Sequence, residues 1–158
     1  MLTIEKVITL RSVSIFENVP DYLLADIAER LEEIELDTGD ILIREGEIGD
    51  RMFVVIDGRF RVSRNGRDIT DIGAGDVIGE LSLLDPEPRS ATVTAVAPAR
   101  LFVLAQSDLD DLMAASAEIV SGFVRMLCRR LRATGERLAM TPVDRPSSES
   151  PLSVVEAQ

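Results

Sequence analysis

Residues 79 to 93 read GELSLLDPEPRSATV and bring together side chains with complementary chemistry. Arg89 carries a planar guanidinium whose parallel N–H donors fit a phosphate, and Ser90 beside it adds a hydroxyl donor. Gly79 permits a tight turn ahead of Glu80–Leu84, a stretch long enough for one or two helical turns. The first N–H groups of such a turn lack intrahelical acceptors and suit an anion. Asp85-Pro86-Glu87-Pro88 then stops the helix. Glu80 is the member that does not fit an anion, because its carboxylate only accepts hydrogen bonds and needs a donor such as a sugar hydroxyl. The set as a whole suits a phosphorylated sugar. Ala91, Val93 and Ala95 share a strand face with Arg89, and their small size leaves room for a ring. Two plainer readings stay open: an ion pair between Glu80 and Arg89, and Glu80 as a helix N-terminal acid contributing ~0.3–1 kcal/mol.

The elements that must hold these residues follow from periodicity. Residues 3–34 are expected to be helical, with Pro20 in a first turn and Leu23, Leu24, Ile27, Leu31 and Ile34 at helical spacing. Residues 35–106 change period: short apolar runs (ILIR, MFVVI, FRVS, VIGE, TVTAV, LFVLA) alternate with glycine turns. Asn65-Gly66 between FRVS and RDIT marks a hairpin, since both central positions need positive φ. Strands this short and regularly punctuated suggest a small sandwich or jelly-roll barrel. Residues 107–139 return to helix, with Ser107 or Asp108 as cap. In the second segment Ile119, Phe123, Leu127 and Leu131, with Val120, Val124 and Leu138 beside them, form an apolar stripe. That stripe suits a lid underside, ordinary core or a dimer helix. Cys128 at its edge is expected to be small and buried. Residues 140–158, proline- and serine-rich, are expected to be a disordered tail.

Composition narrows the functions. The 158 residues suit one domain, and the net charge of −11 opposes a nucleic-acid partner, which needs a basic surface. The cluster Arg125, Arg129, Arg130, Arg132 then reads as the wet face of an amphipathic helix. No histidine is present, which removes the commonest general base and metal ligand and argues against an enzyme. No apolar run reaches membrane-span length, the N-terminus lacks a signal-peptide pattern, and a single cysteine fits a cytoplasmic location.

The 79–93 stretch resembles the phosphate-binding cassette of cyclic nucleotide-binding domains: Gly79-Glu80, an apolar short helix (Leu81-Ser82-Leu83-Leu84), then Pro88-Arg89-Ser90-Ala91-Thr92-Val93. Gly39, Gly46, Gly58 and Gly75 fall where that family turns between strands, and the likeness spans roughly residues 15–135. One departure is Ile78, where many members carry an aromatic. The resemblance implies an α+β, mainly β, fold: an eight-stranded jelly-roll barrel with N-terminal helices and C-terminal hinge or lid helices, in one domain over residues 1–139. It implies cAMP or cGMP as ligand, with no cofactor. Glu80 would bind the ribose 2′-hydroxyl and Arg89 the cyclic phosphate. Ser90 and the backbone at Gly79 and Leu81 would complete the cradle, and Ala91 follows as the small residue. Residues 117–139 would cover the base, with Arg129 or Arg130 as candidate lid contacts. The expected function is a sensor that signals through its C-terminal helix to an effector protein, with a homodimer through that helix as a further partner. The alternatives are a ligand-free interaction module of the same fold, or a regulatory piece of a larger channel or transporter. Met1 and the loose tail lean toward a free-standing chain.

Overall fold

The structure is a computed structural model that describes residues 2–140. Helix α1 (Thr3–Arg11), a single 3-10 turn (Ser14–Phe16) and α2 (Asp21–Arg30) lead into the strands. Eight strands follow: β1 (Glu32–Leu36), β2 (Ile41–Ile43), β3 (Arg51–Asp57), β4 (Arg59–Arg64), β5 (Arg67–Gly73), β6 (Val77–Ile78), β7 (Thr92–Ala95) and β8 (Ala99–Ala105). A one-turn 3-10 segment (Leu81–Leu83) separates β6 from β7, and helices α3 (Gln106–Ala115) and α4 (Ala117–Met140) close the order. All pairing is antiparallel, in two four-stranded sheets ordered β1-β8-β3-β6 and β2-β7-β4-β5.

The expected helix over 3–34 is thus broken and ends early. Pro20 stands just outside α2, in extended conformation, rather than in its first turn. Leu31 is also extended, and Ile34 belongs to β1, paired with Leu101. The physical reason is visible in EEIEL: Ile34 and Leu36 alternate with glutamates, and only that period lays them against β8 while the acids face solvent. Asn65 and Gly66 both take positive φ (53° and 76°) and join β4 to β5, as the hairpin reading requires.

Two apolar cores share one sheet. β3 and β8 are apolar on both faces. Met52, Val54, Phe102 and Leu104 face a layer built from the helices, while Phe53, Val55, Leu101 and Val103 face the second sheet. This explains why MFVV and LFVL are unbroken apolar runs: each strand is sandwiched and has no solvent face along these residues. Ala91, Val93 and Ala95 lie in the inter-sheet core with Phe60 and Val62. Their side chains are fully packed there, so the room they were expected to leave for a ring is taken by core.

Helix α4 divides its apolar residues between two faces. Ile119, Phe123 and Met126 are buried, with the Phe123 ring 5.8 Å from that of Phe16. Val120, Val124, Leu127, Leu131 and Leu138 are exposed. Cys128, expected to be buried, is exposed. It lies about 200° around the helix from Met126, which already occupies the packed face. The expected tail starts at residue 140, but Met140 still belongs to α4, and residues 141–158 lie outside the described residues. Among the described residues no helix is long and apolar enough to cross a membrane.

Candidate functional site

The candidate site is built where β6 ends. Val77 and Ile78 pair with β3, and Gly79 then turns the chain at φ 76°, a conformation that a Cβ disfavours. Glu80, in right-handed helical conformation, starts the one-turn segment, which is closed by Ser82 N–H to Gly79 O at 3.1 Å and Leu84 N–H to Leu81 O at 3.0 Å. Among the described residues, the backbone N–H groups of Glu80 and Leu81 meet no protein acceptor. Those are the open donors an anion requires at such a turn.

Arg89 returns beside this turn because its backbone is stitched to the loop between β2 and β3. Its N–H donates to Glu47 O at 2.8 Å, its carbonyl accepts from Gly46 N–H at 2.8 Å, and Pro88 bridges Ile48. The side chain is 5% exposed. Nη1 donates to Ser82 Oγ at 3.0 Å and Nη2 to the Arg51 carbonyl at 2.9 Å. Among the described residues no carboxylate is within ion-pair distance of it. Burial therefore pushes the guanidinium below its ordinary basicity, and the field of Asp50 partly opposes this. A cleft of about 180 Å³, lined by Leu42, Glu47, Gly49, Asp50 and Arg51 among others, opens at Arg89.

Glu80 is 6% exposed and faces the helical layer. It does not pair with Arg89. Its carboxylate accepts from Ser14 Oγ at 3.1 Å and forms an ion pair with Arg130 of α4, and Arg130 Nη2 also donates to Ser14 Oγ at 2.8 Å. Of the two candidate lid arginines, Arg130 thus reaches the cassette, whereas Arg129 pairs with Glu17. Ser90, half-buried, accepts from Arg64 Nε through its carbonyl at 3.0 Å and from Arg64 Nη2 through Oγ at 3.4 Å. Ala91 is wholly buried behind it.

Several participants escaped the sequence reading. Ser82 left a signal: a hydroxyl inside an apolar turn, between Leu81 and Leu83, demands a buried polar partner. Ser14, Gly49 and Arg64 left none, because their contacts to the cassette cross 66, 40 and 26 positions of chain.

The site thus sets a buried arginine, with no carboxylate partner among the described residues, on one side of a one-turn helix and a buried acid on the other, within an antiparallel sandwich. The chain belongs to the cyclic nucleotide-binding domain family, whose family model matches residues 33–116. It is 32% identical over 135 residues to a CRP-like cAMP-activated global transcriptional regulator of Mycobacterium tuberculosis, covering 82% of this chain and 60% of that protein. It is 33% identical over 108 residues to a cyclic nucleotide-gated potassium channel of Rhizobium etli, covering 68% of this chain and 30% of the channel. Among solved structures, the N-terminal domain of a transcriptional regulator from Streptomyces coelicolor A3(2) superposes with a TM-score of 0.75 at 35% identity, covering 81% of this chain and 95% of that one. The regulatory domain of Toxoplasma gondii PKA with cAMP superposes with a TM-score of 0.62 at 26% identity, covering 75% of this chain and 48% of that one. The chain therefore spans three fifths or less of the length of these two curated relatives.

Proposed function

We propose that this chain is a cyclic-nucleotide sensor, taking cAMP or cGMP without a catalytic step. The observation that carries the reading is Arg89: a guanidinium 5% exposed, with no carboxylate partner among the described residues, in a cassette that matches the family. A buried charge held only by neutral acceptors is costly, and a phosphate arriving at it recovers that cost. The N–H groups of Glu80 and Leu81, which meet no protein acceptor among the described residues, add donors beside Gly79, and the Ser90 hydroxyl adds another. Glu80 takes the ribose hydroxyl as a donor.

Readout runs through Glu80. That carboxylate is held by Arg130 on α4 and by Ser14. A ribose hydroxyl competes for the same oxygens, so nucleotide binding and the seat of α4 become linked. The helix moves only as far as the nucleotide's differential affinity for the two arrangements allows. The outer face of α4 fits a second copy of the chain. Val120, Val124, Leu127, Leu131 and Leu138 recur at spacings of four, three, four and seven, a two-stranded coiled-coil seam, and all five are exposed. The neighbouring positions Ser121, Cys128 and Gly135 are small or uncharged. The signal then passes to an effector protein or to a further domain of a longer regulator.

A ligand-free module of the same fold is the second reading, favoured by one observation: Glu80 is already satisfied within the protein. Isothermal titration of the folded chain with cAMP and with cGMP separates the two. Saturable heat with either nucleotide is the expected result, and no heat from both at millimolar ligand overturns the sensor reading.

A further inference from the structure

The guanidinium of Arg89 lies flat against Gly49. A Cβ built on Gly49 would stand 2.0 Å from Nε, 2.1 Å from Cζ and 2.6 Å from Nη2 of Arg89. The φ of Gly49 lies outside the left-handed region, so space alone calls for glycine there. The loop is itself held: Gly49 N–H donates to Glu87 O at 3.2 Å, and Ile48 bridges Pro88. At the far end of the guanidinium, Ser82 Oγ accepts from Nη1 at 3.0 Å, and Ser82 is 4% exposed. We propose that Gly49 and Ser82 are positioning residues that aim Arg89, Gly49 as the floor beneath its plane and Ser82 as the stop at its end.

The inference rests on the reading of Arg89 as the phosphate ligand. An arginine side chain has several rotatable bonds, and two parallel hydrogen bonds to a phosphate require its fork to be held within a fraction of an ångström. The floor fixes the plane and leaves no room to rotate into the β2–β3 loop. Ser82 and the Arg51 carbonyl then fix the direction, engaging two of the five guanidinium N–H donors. Three remain without a protein acceptor among the described residues. Ser82 sits on the same turn that presents the open N–H groups of Glu80 and Leu81, so one hydrogen bond registers the two halves of the cradle against each other.

The test uses Gly49→Ala and Ser82→Ala in the full chain, read by cAMP titration, urea unfolding and the Arg89 Nε–H signal in a proton–nitrogen spectrum, assigned by its loss in Arg89→Ala. A Cβ at position 49 meets the mobile end of a side chain, so the arginine should move while the fold stays. Each variant is expected to bind cAMP on the order of tenfold more weakly, the worth of a hydrogen bond to a charged group. Its unfolding midpoint should stay close to wild type and its Arg89 signal should be displaced. Binding within twofold of wild type, tighter binding, or weaker binding with an unmoved Arg89 signal overturns the assignment. Should the wild type bind neither cAMP nor cGMP, the sensor reading fails instead, and the Arg89 signal still decides whether the two residues aim it. If Gly49→Ala does not fold, Ser82→Ala carries the test alone.

Discussion

Removing the Arg89 side chain separates a binding role from a structural one, because the two make opposite demands on the same atoms. In the folded chain Arg89 has given up water for two neutral oxygens, Ser82 Oγ and the Arg51 carbonyl. Arg89→Ala relieves a desolvated charge and strands those two acceptors, with Arg51 lining a cleft of about 180 Å³ that water can enter. The terms oppose, so the change in unfolding free energy is expected to stay within about 1 kcal/mol. On the ligand side nothing offsets the loss. Truncating one partner of a buried charge pair costs about 2–5 kcal/mol, which is about 30-fold to about 4,000-fold in Kd. Isothermal titration with cAMP and a urea transition, run on the same preparations, measure both quantities. Affinity within twofold of wild type refutes the phosphate role. A loss of more than about 3 kcal/mol of stability refutes the opposing-terms argument and makes Arg89 a structural residue.

Three other perturbations bear on the same account. Arg130→Ala leaves the buried Glu80 carboxylate with only Ser14 as a partner among the described residues. It is expected to destabilise the unliganded chain by about 2 kcal/mol in urea unfolding, less than for a fully buried pair because Arg130 is partly exposed. An unchanged midpoint would mean that the latch between α4 and the cassette holds nothing. Leu131→Glu places a charge in the proposed seam of α4 and is expected to shift sedimentation from dimer to monomer without changing the circular dichroism spectrum. A wild-type chain that is already monomeric at high concentration ends that idea. Phe102→Ala empties a site that is 1% exposed, between β8 and the helices, and should cost about 3–5 kcal/mol of stability by denaturant titration. A cost below about 1 kcal/mol would contradict the two-core description.

What the sequence determined by itself was whatever depends on neighbours along the chain. The Asn65-Gly66 hairpin, the turn at Gly79, the halt at Pro86 and Pro88, and the apolar runs of β3 and β8 are all set by backbone sterics or by a local period, and each is where the residues indicated. The cassette was legible for the same reason, since Gly79, Glu80, Arg89 and Ser90 fall within one short stretch. Only the tertiary structure decided whom those residues meet. Ion pairing of Glu80 with Arg89 looked natural from their nearness, yet β6 and the cassette turn point Glu80 toward the helices, where Arg130 arrives from 50 positions away. Gly49 beneath Arg89 is equally non-local. Ile34 fits a helical spacing and a strand spacing alike until β8 is there to pair with it. Local geometry acts through bonds and is written in the order of residues. Burial, charge pairing and steric floors act through space, and the order of residues carries them only after the chain has folded.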